Sequence, residues 1–239
     1  MNIAIIGYGK MGKEIEKICL KRKHTVLLKI NSKNSHLLKS DELKKCDVAI
    51  EFSDAQNALK NILFLIKKGI PIVSGTTGWD NEITIAHKKC MELKKSFLHS
   101  PNFSIGMNIF FELNNFLAKK MNIQDQYKAS ISESHHKNKK DKPSGTAIKL
   151  ANDINKEINK IKEWGLDSNQ NNTLPINCIR EGDIKGLHKV TYKSFLDTIS
   201  IQHEAKSREC FATGAVIAAE FIQNKKGIFT MKDVINDKL

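Results

Sequence analysis

The first hundred residues alternate short apolar runs with amphipathic segments. The apolar runs predict strands at Ile3–Ile6, Val26–Ile30, Val48–Phe52, Ile70–Val73 and Phe97–His99. The clearest amphipathic segment is 55–68, where apolar residues recur at helical spacing and Gly69 is placed to end the helix. Because strands alternating with helices are typical of βαβ units, this pattern predicts an α/β domain of Rossmann type with a doubly wound parallel sheet.

The pattern changes after about residue 102. It predicts helices at 107–121, 146–161 and 211–222, the last being the final helix, and strands at 128–133, 175–180, 188–194 and 197–203. Strands grouped after helices favour a separate α+β domain, and the final helix has the length and apolar face to return to the first domain. We therefore expect an α/β domain in residues 1–104, a central α+β domain in 105–210, and a return to the first domain in 211–239.

The chain is strongly basic, with 39 Lys and Arg against 26 Asp and Glu and a net charge of +13. Such an excess can indicate a nucleic-acid partner. Here it consists almost wholly of lysines in short scattered runs, and the arginines are only Arg22, Arg180 and Arg208. Since arginine supplies the bidentate contacts to guanine and phosphate, we expect no nucleic-acid site.

The five cysteines are scattered, odd in number and without CxxC pairs. They predict free thiols in a reducing compartment. The chain also lacks a signal-peptide pattern at its start and any apolar run near the roughly 20 residues of a membrane span. We expect a cytoplasmic protein with no membrane partner.

The segment after the first strand fits the GxGxxG pattern and leads into a predicted helix. Glycines there allow a tight turn and close approach of the backbone to a pyrophosphate, while the N–H groups at the helix start face the anion. The strand-turn-helix context favours a dinucleotide site over an ordinary glycine turn. The candidate contacts are Gly7, Tyr8, Gly9, Lys10, Met11 and Gly12.

Three further loops follow predicted strands and are expected at the same edge of the sheet, where open α/β folds bind ligands. After the second strand, Asn31 stands where an Asp or Glu commonly binds the ribose of NAD, and Lys33 adds a cation nearby. We therefore expect NADPH to be used at least as well as NADH. The candidate cofactor contacts in these loops are Asn31, Lys33, Gly75, Thr76, Thr77, Ser100, Pro101, Asn102 and Phe103.

The stretch 133–147 carries two adjacent histidines, a lysine and a Ser-Gly-Thr start to a helix. Ser144 is a candidate N-cap that leaves the N–H groups of Gly145 and Thr146 free for a carboxylate. From the residues alone, the histidines are either acid-base groups or an ordinary pair on a loop, and Lys139 is not distinguished from the lysines around it. Adjacent histidines lack the i, i+4 spacing of a helical metal site and no third ligand is obvious nearby, so we expect no metal.

The same stretch resembles the dihydrodipicolinate reductase family. Every fixed position of its E-x-H-H-x-x-K-x-D-x-P-S-G-T-A motif is matched by residues 133–147. The resemblance extends over nearly the whole chain, through the nucleotide loop, the Gly-Thr-Thr-Gly loop 75–78, the N-F-S-x-G run 102–106, the Arg-Glu-Gly run 180–182 and the run 203–215.

The resemblance implies an enzyme that uses NADPH, NADH or both to reduce 4-hydroxy-tetrahydrodipicolinate, a small dicarboxylate of lysine biosynthesis. It implies that His135 is a proton donor or acceptor and Lys139 a proton donor. His136, Gly145 and Thr146 would bind substrate, with Ser144 counted among them. It also implies that residues 1–104 and 211–239 form a dinucleotide-binding domain, that residues 105–210 form a domain for substrate binding and tetramerisation, and that the protein is a homotetramer joined through the central sheets.

The chain departs from the family pattern at three positions, Glu51, Pro101 and Asn31, and only the last bears on function, through cofactor choice. One alternative is another two-domain Rossmann dehydrogenase, which would act on amino acids or sugars. A second is a catalytically silent nucleotide sensor, in which Lys139 or the Pro-Ser-Gly-Thr run should be broken; neither is. A nucleic-acid-binding protein is the third, disfavoured by the scarcity of arginine.

Overall fold

The computed structural model describes residues 1–237. The chain divides into two compact units: unit 1 comprises Met1–Ile105 and the chain from Arg208 onward, and unit 2 comprises Gly106–Ser207. The unit boundaries thus fall at 105/106 and 207/208, where the sequence pattern placed them at 104/105 and 210/211.

The strands and helices of the described residues are numbered in chain order. The strands are β1 (Asn2–Ile6), β2 (Thr25–Ile30), β3 (Val48–Glu51), β4 (Ile72–Ser74), β5 (Ser96–His99), β6 (Lys128–His135), β7 (Glu163–Leu166), β8 (Thr173–Arg180), β9 (Leu187–Lys193), β10 (Thr198–Glu204) and β11 (Gly227–Phe229). The α-helices are α1 (Lys10–Lys21), α2 (Ala55–Lys68), α3 (Ile83–Glu92), α4 (Ile105–Met121), α5 (Gly145–Glu157), α6 (Glu209–Ile222) and α7 (Met231–Asn236). Short 3-10 helices lie at Ser35–Lys39, Asp41–Lys45 and Asp80–Glu82.

Unit 1 is built on a parallel sheet with the order β11-β5-β4-β3-β1-β2. Apolar clusters lie on both faces, one with α1 and α6 and the other with α2 and α3. The predicted doubly wound parallel sheet is therefore confirmed. Because every pair is parallel, the carboxyl ends of β1 to β5 all lie at one edge of the sheet. The loops predicted to contact the cofactor begin at this edge.

Local signals set the bounds of α2. Asp54 caps its start by accepting a hydrogen bond from the Asn57 N–H at 3.0 Å. Gly69 follows its last turn in the left-handed region, at φ 80°, where glycine has no steric penalty. The helix has the bounds that the sequence pattern predicts.

Unit 2 has a mixed sheet with the order β10-β9-β6-β8-β7, in which β6 pairs with β8 in parallel and with β9 antiparallel. One face packs against α4 and α5 around Phe110, Ile131, Leu150 and Ile176. The predicted second domain of mixed helices and strands is confirmed. Because β6 alternates between faces, Glu133 and His135 point to the same side as the core residue Ile131.

Several elements differ from the predicted ones. The helix predicted to reach residue 161 ends at Glu157, because Ile158 takes an extended conformation and the chain turns toward β7. The strand β7 and the helix α3 were not predicted individually. The helix 211–222 is not the final element, since β11 and α7 follow it. Among the described residues, no helix has the length and apolar character to cross a membrane.

Candidate active site

The loop after β1 makes the tight turn that its glycines predict. Gly7 has φ 92°, and a Cβ added there would lie 2.0 Å from the carbonyl oxygen of Phe52. A Cβ added at Gly9 would meet nothing within 4 Å, so this glycine borders open space. Gly7 is therefore required by the turn, whereas Gly9 leaves room for a ligand close to the backbone.

The start of α1 offers free donors beside this space. The N–H groups of Gly7 and Tyr8 both donate to Ile30 O at the end of β2, at 2.8 and 2.9 Å, so these two donors are already used within the protein. The first helical hydrogen bond runs from Lys13 N to Gly9 O, and Gly9 provides no side-chain cap. The first-turn amides of Lys10, Met11 and Gly12 have no acceptor within the helix, as an anion-binding helix start requires. The Tyr8 hydroxyl is committed elsewhere, since it donates to Glu16.

A cavity of about 820 Å³ opens next to this loop. Its walls come from the ends of β1, β2 and β3 and from α2, and its volume is that of a typical small-molecule site. Of the residues predicted to bind cofactor, Gly7, Tyr8, Gly9 and Asn31 line it. Other polar and charged residues lining it are Ser32, Ser35, His36, Lys39, Ser53, Asp54, Asn57, Lys60 and Asn61. The shape, the glycine cradle and the free amides fit a bound dinucleotide.

Asn31 lies at the end of β2 in a short turn. Its side-chain oxygen accepts from the Lys33 N–H at 2.9 Å, and its own N–H donates to the Asn34 side chain at 2.7 Å. Lys33 is exposed and does not line the cavity, whereas Lys39 does. The sequence pattern did not point to Lys39, because it comes six positions after Lys33 along the chain.

The loop after β4 is organised by Glu51. This glutamate is fully buried at the end of β3. Its carboxylate accepts from Ser74 Oγ at 2.7 Å and from Thr76 Oγ1 at 3.0 Å, and it also accepts from Ser53. The Glu51 side chain thus joins the ends of β3 and β4. Thr76 is buried and Thr77 is exposed.

The loop after β5 lies at the same edge. Ser100 N donates to Ser74 O at 3.1 Å, and the Ser100 hydroxyl bonds the carbonyl of Asn102 at 2.8 Å. Phe103 is 2% exposed and packs against the Phe52 ring in the core of unit 1. Its side chain therefore serves packing, and any cofactor contact would come from its backbone. Pro101 is exposed.

In unit 2, the strand register assembles a buried polar cluster. Glu133 on β6 is opposite His188 on β9, and His135 on β6 is opposite Arg180 on β8. Glu133, His135 and His188 are 0%, 7% and 4% exposed. Four residues separated by up to 55 positions in the sequence are thus brought onto adjacent strands.

The Glu133 carboxylate is the centre of this cluster. One oxygen accepts from Arg180 Nη2 at 2.6 Å and from the Ser144 N–H at 3.1 Å. The other accepts from the Ser144 hydroxyl and lies 3.3 Å from His135 Nε2 and 3.5 Å from His188 Nε2. Burying a carboxylate is costly unless it is paired and hydrogen-bonded, and here every oxygen has partners.

These contacts set the charge of Glu133. Burial raises its pKa, but hydrogen bonds from His135, His188, Ser144 and Arg180 outweigh that effect and hold the pKa well below its usual range. Burial lowers the pKa of His188 below its ordinary value, against the opposing influence of Glu133. Glu133 is therefore a permanent anion next to the two imidazoles.

Lys139 differs from its neighbours in the same stretch. Its ammonium lies 2.8 Å from Asp141 Oδ1, and its side chain is 24% exposed. Lys137 and Lys140 are exposed. Burial by itself raises the pKa of Asp141. The hydrogen bond and the positive charge of Lys139 lower it by more, so the pKa lies below its usual range. Partial burial therefore distinguishes Lys139 from Lys137 and Lys140, which composition and spacing alone do not.

The start of α5 is the second part of this site. Ser144 caps the helix, its hydroxyl accepting from the Ala147 N–H at 3.2 Å, as predicted. Gly145 is exposed and Thr146 is partly exposed, as is His136. Ser144 itself is 3% exposed and is bonded to Glu133. It ties the start of α5 to the strand that carries His135.

Sequence reasoning missed three members of the cluster as functional residues: Glu133, Arg180 and His188. The alternation of β6 places Glu133 on the face of His135, two residues away, which was a usable signal. The placement of Arg180 and His188 depends on strand pairing, which the sequence pattern did not specify. In the structure, Arg180 pairs with the buried Glu133 carboxylate at 2.6 Å. Arg208 lies just before α6 and is exposed.

Comparison with known proteins identifies relatives over the whole chain. Residues 1–103 match the family model "Dihydrodipicolinate reductase, N-terminus", and residues 106–235 match "Dihydrodipicolinate reductase, C-terminus". A 4-hydroxy-tetrahydrodipicolinate reductase from Christiangramia forsetii is 47% identical over 99% of this chain and 98% of its own. Another from Archaeoglobus fulgidus is 38% identical over 82% of this chain and 79% of its own.

A solved structure shares the fold. The dipicolinate-bound dihydrodipicolinate reductase from Paenisporosarcina sp. TG-14 has a TM-score of 0.80 at 20% identity, covering 96% of this chain and 97% of its own. With a parallel sheet carrying the glycine loop, a mixed sheet carrying the histidine cluster and both family models matched, this chain belongs to the dihydrodipicolinate reductase family.

Proposed function

We propose that this protein is an oxidoreductase that uses NAD(P)H to reduce 4-hydroxy-tetrahydrodipicolinate, with loss of water, to tetrahydrodipicolinate in the diaminopimelate route of lysine biosynthesis. The observation that carries this proposal is the junction of β6 with α5. Ser144 at the helix start bonds to Glu133, two residues before His135. Acid-base groups and an anion-binding helix start are therefore fixed to each other.

The substrate is a small dianion, and unit 2 offers donors suited to it. The amides of Gly145 and Thr146 at the start of α5 would bind a carboxylate, with His136 and Lys139 beside them. Ser144 contributes by setting the direction of the helix start, since its hydroxyl is engaged with Glu133 and Ala147.

The nucleotide would be held by unit 1. The amides of Lys10, Met11 and Gly12 would meet the pyrophosphate, and the loops 75–77 and 100–103 at the same sheet edge would complete the site. When bound, the reduced nicotinamide supplies a hydride, which must reach C4 of the conjugated imine left after the 4-hydroxyl departs as water.

The chain's own residues handle the protons. Lys139 is a cationic donor suited to supply the proton that the carbon next to C4 requires. His135 would donate or accept a proton, held in place by Glu133 and His188. Arg180 keeps Glu133 ionised, so the carboxylate orients His135 without taking up its proton.

We further propose NADPH use at least equal to NADH use. Asn31 offers an uncharged amide to the ribose, with no carboxylate to repel a 2′-phosphate. Lys33 lies in the same turn, and Lys39 adds a second cation at the cavity wall.

A homotetramer in the cytoplasm completes the proposal. On the face of the mixed sheet opposite its core, the serines of β6 lie beside Leu187 and Lys189 of β9, and Ile179 of β8 is 41% exposed. Ser130, Ser132 and Ser134 on β6 are only partly exposed, so a second sheet can approach this face closely. The five cysteines are free, as expected in a reducing compartment.

The test is NADPH and NADH oxidation by the purified protein, with substrate made in situ from pyruvate and aspartate semialdehyde. Turnover should require the complete mixture, and pyridine-2,6-dicarboxylate should compete with the substrate. Absence of turnover with both nucleotides would overturn the proposal, as would activity on aspartate or sugars with none on this substrate.

A further inference from the structure

The buried cluster of unit 2 has the dimensions of a transition-metal site. Three ligand atoms, Glu133 Oε2, His135 Nε2 and His188 Nε2, face one another. The two nitrogens are 3.4 Å apart, and they lie 3.3 and 3.5 Å from the carboxylate oxygen. In a tetrahedral zinc site with bonds of about 2.0–2.1 Å, neighbouring ligand atoms are about 3.3–3.4 Å apart.

We propose that Glu133, His135 and His188 form a binding site for Zn²⁺ or a similar divalent transition ion, and that its occupation inhibits the enzyme. Two imidazoles and one carboxylate are a known zinc ligand set in which the fourth position stays open to water or another ligand. The sequence pattern predicts no metal, because no third ligand lies near the paired histidines along the chain. That premise fails in three dimensions, since His188 on the neighbouring strand supplies the third atom and His136 is not part of the set.

The surroundings orient the carboxylate for this role. Arg180 and the Ser144 amide hold the other oxygen, Oε1, while Oε2 faces both imidazoles and also accepts from the Ser144 hydroxyl, which lies 3.3 Å from His188 Nε2. Such outer contacts fix ligands in metal sites and affect affinity by about 10–100-fold. Arg180 also withdraws negative charge from the carboxylate, so we expect reversible binding that a chelator removes.

The same ion would remove His135 from acid-base chemistry, because its Nε2 lone pair would be used for coordination. Metal binding is independent of the proposed reaction and can be measured without substrate. Inhibition rests on the proposed function, so metal binding and the loss of enzyme activity are measured in separate experiments.

The experiment is a titration of the EDTA-treated full-length protein with CoCl₂, followed by ZnCl₂. We expect the intense visible absorption of four-coordinate Co²⁺ at one ion per chain, and its loss as Zn²⁺ displaces it. His188→Ala should weaken binding by at least about tenfold, since even an outer-contact change costs that much. His36→Ala, which removes an exposed histidine from unit 1, should leave the Co²⁺ titration unchanged.

An anomalous-scattering map of Zn²⁺-soaked crystals tests the wild-type chain directly, should His188→Ala fail to fold. The peak should lie about 2.0–2.1 Å from the two Nε2 atoms. A peak elsewhere, a six-coordinate Co²⁺ spectrum, or equal binding by His188→Ala and His36→Ala would overturn the metal site. Binding at this site without loss of NADPH oxidation would overturn its inhibitory role alone.

Discussion

Lys139 is set apart from the neighbouring lysines by its partial burial and its pairing with Asp141 as well as by the motif resemblance. We predict that Lys139→Ala lowers kcat by a factor on the order of 10² to 10⁴, the range for losing a positioned acid or base, with little change in nucleotide affinity. Lys137→Ala and Lys140→Ala are matched controls, because both side chains are exposed and should leave kcat nearly unchanged. Steady-state kinetics of the three variants decide the matter. Equal effects in all three would assign the loss to net charge.

Asn31 gives a second prediction at this scale, about the nucleotide. Asn31→Asp places a carboxylate at the cavity wall, where it would bond a ribose hydroxyl and repel a 2′-phosphate. We expect the ratio of kcat/KM for NADPH over NADH to fall by about tenfold, equivalent to about 1.4 kcal/mol. Asn81→Asp, an exposed change outside the cavity in the same unit, is the control. If the ratio of kcat/KM values does not change, a group other than residue 31 discriminates between the 2′-hydroxyl and the 2′-phosphate.

Among the elements, α6 approaches the loop after β5 unusually closely. A Cβ added at Gly214 would lie 1.7 Å from the carbonyl oxygen of Phe103. Gly214→Ala must therefore displace the helix or the loop, and overpacking of this kind costs about 1–3 kcal/mol. We expect a lower midpoint in urea unfolding, with Thr213→Ala on the same helix as the control. Because the loop 100–103 is a proposed cofactor contact, the KM for the nucleotide should also rise. An unchanged midpoint and an unchanged KM would contradict this packing.

The sequence pattern predicts an element best when the residues that start, maintain and end it lie within or next to that element. The bounds of α2 follow from Asp54, the helical spacing and Gly69, all of which are local. By contrast, β7 is only four residues long and has no buried residue, so its alternation carries little information. The end of α5 at Glu157 is likewise set by the return of the chain to β7, which local helix propensity does not encode.

The histidine cluster shows the same limit for the site. The motif 133–147 identified the stretch, yet its partners Arg180 and His188 come from β8 and β9. Their placement depends on which strands pair and in which register, and a shift of one residue would turn them to the other face. The sequence therefore predicts which chemical groups the site contains. The hydrogen bonds and ion pairs around Glu133 can be identified only from the folded structure.

For the whole molecule, the cysteines give a prediction about reactivity. Burial raises the pKa of Cys19 and Cys178 to about 12 and that of Cys46 to about 11, and it also raises the pKa values of Cys90 and Cys210. Since the thiolate is the reactive form, we expect slow reaction with a disulfide reagent in the native protein and fast reaction of all five thiols after unfolding. Stopped-flow absorbance at constant pH measures both. A single fast thiol in the native state would contradict the packing around that residue.

The order of the elements along the chain has a consequence for how the protein is made. Strand β11 completes the edge of the first sheet beside β5, yet it is synthesised only after all of unit 2. Until then, β5 presents an unpaired strand edge, the kind of surface that promotes association between nascent chains. We expect a chain stopped after residue 224 to form aggregates during refolding that the full-length chain does not, measured by light scattering at equal concentration. Unit 1 can therefore complete its parallel sheet only after the chain has been synthesised through β11, so association through the β5 edge competes with folding until that point.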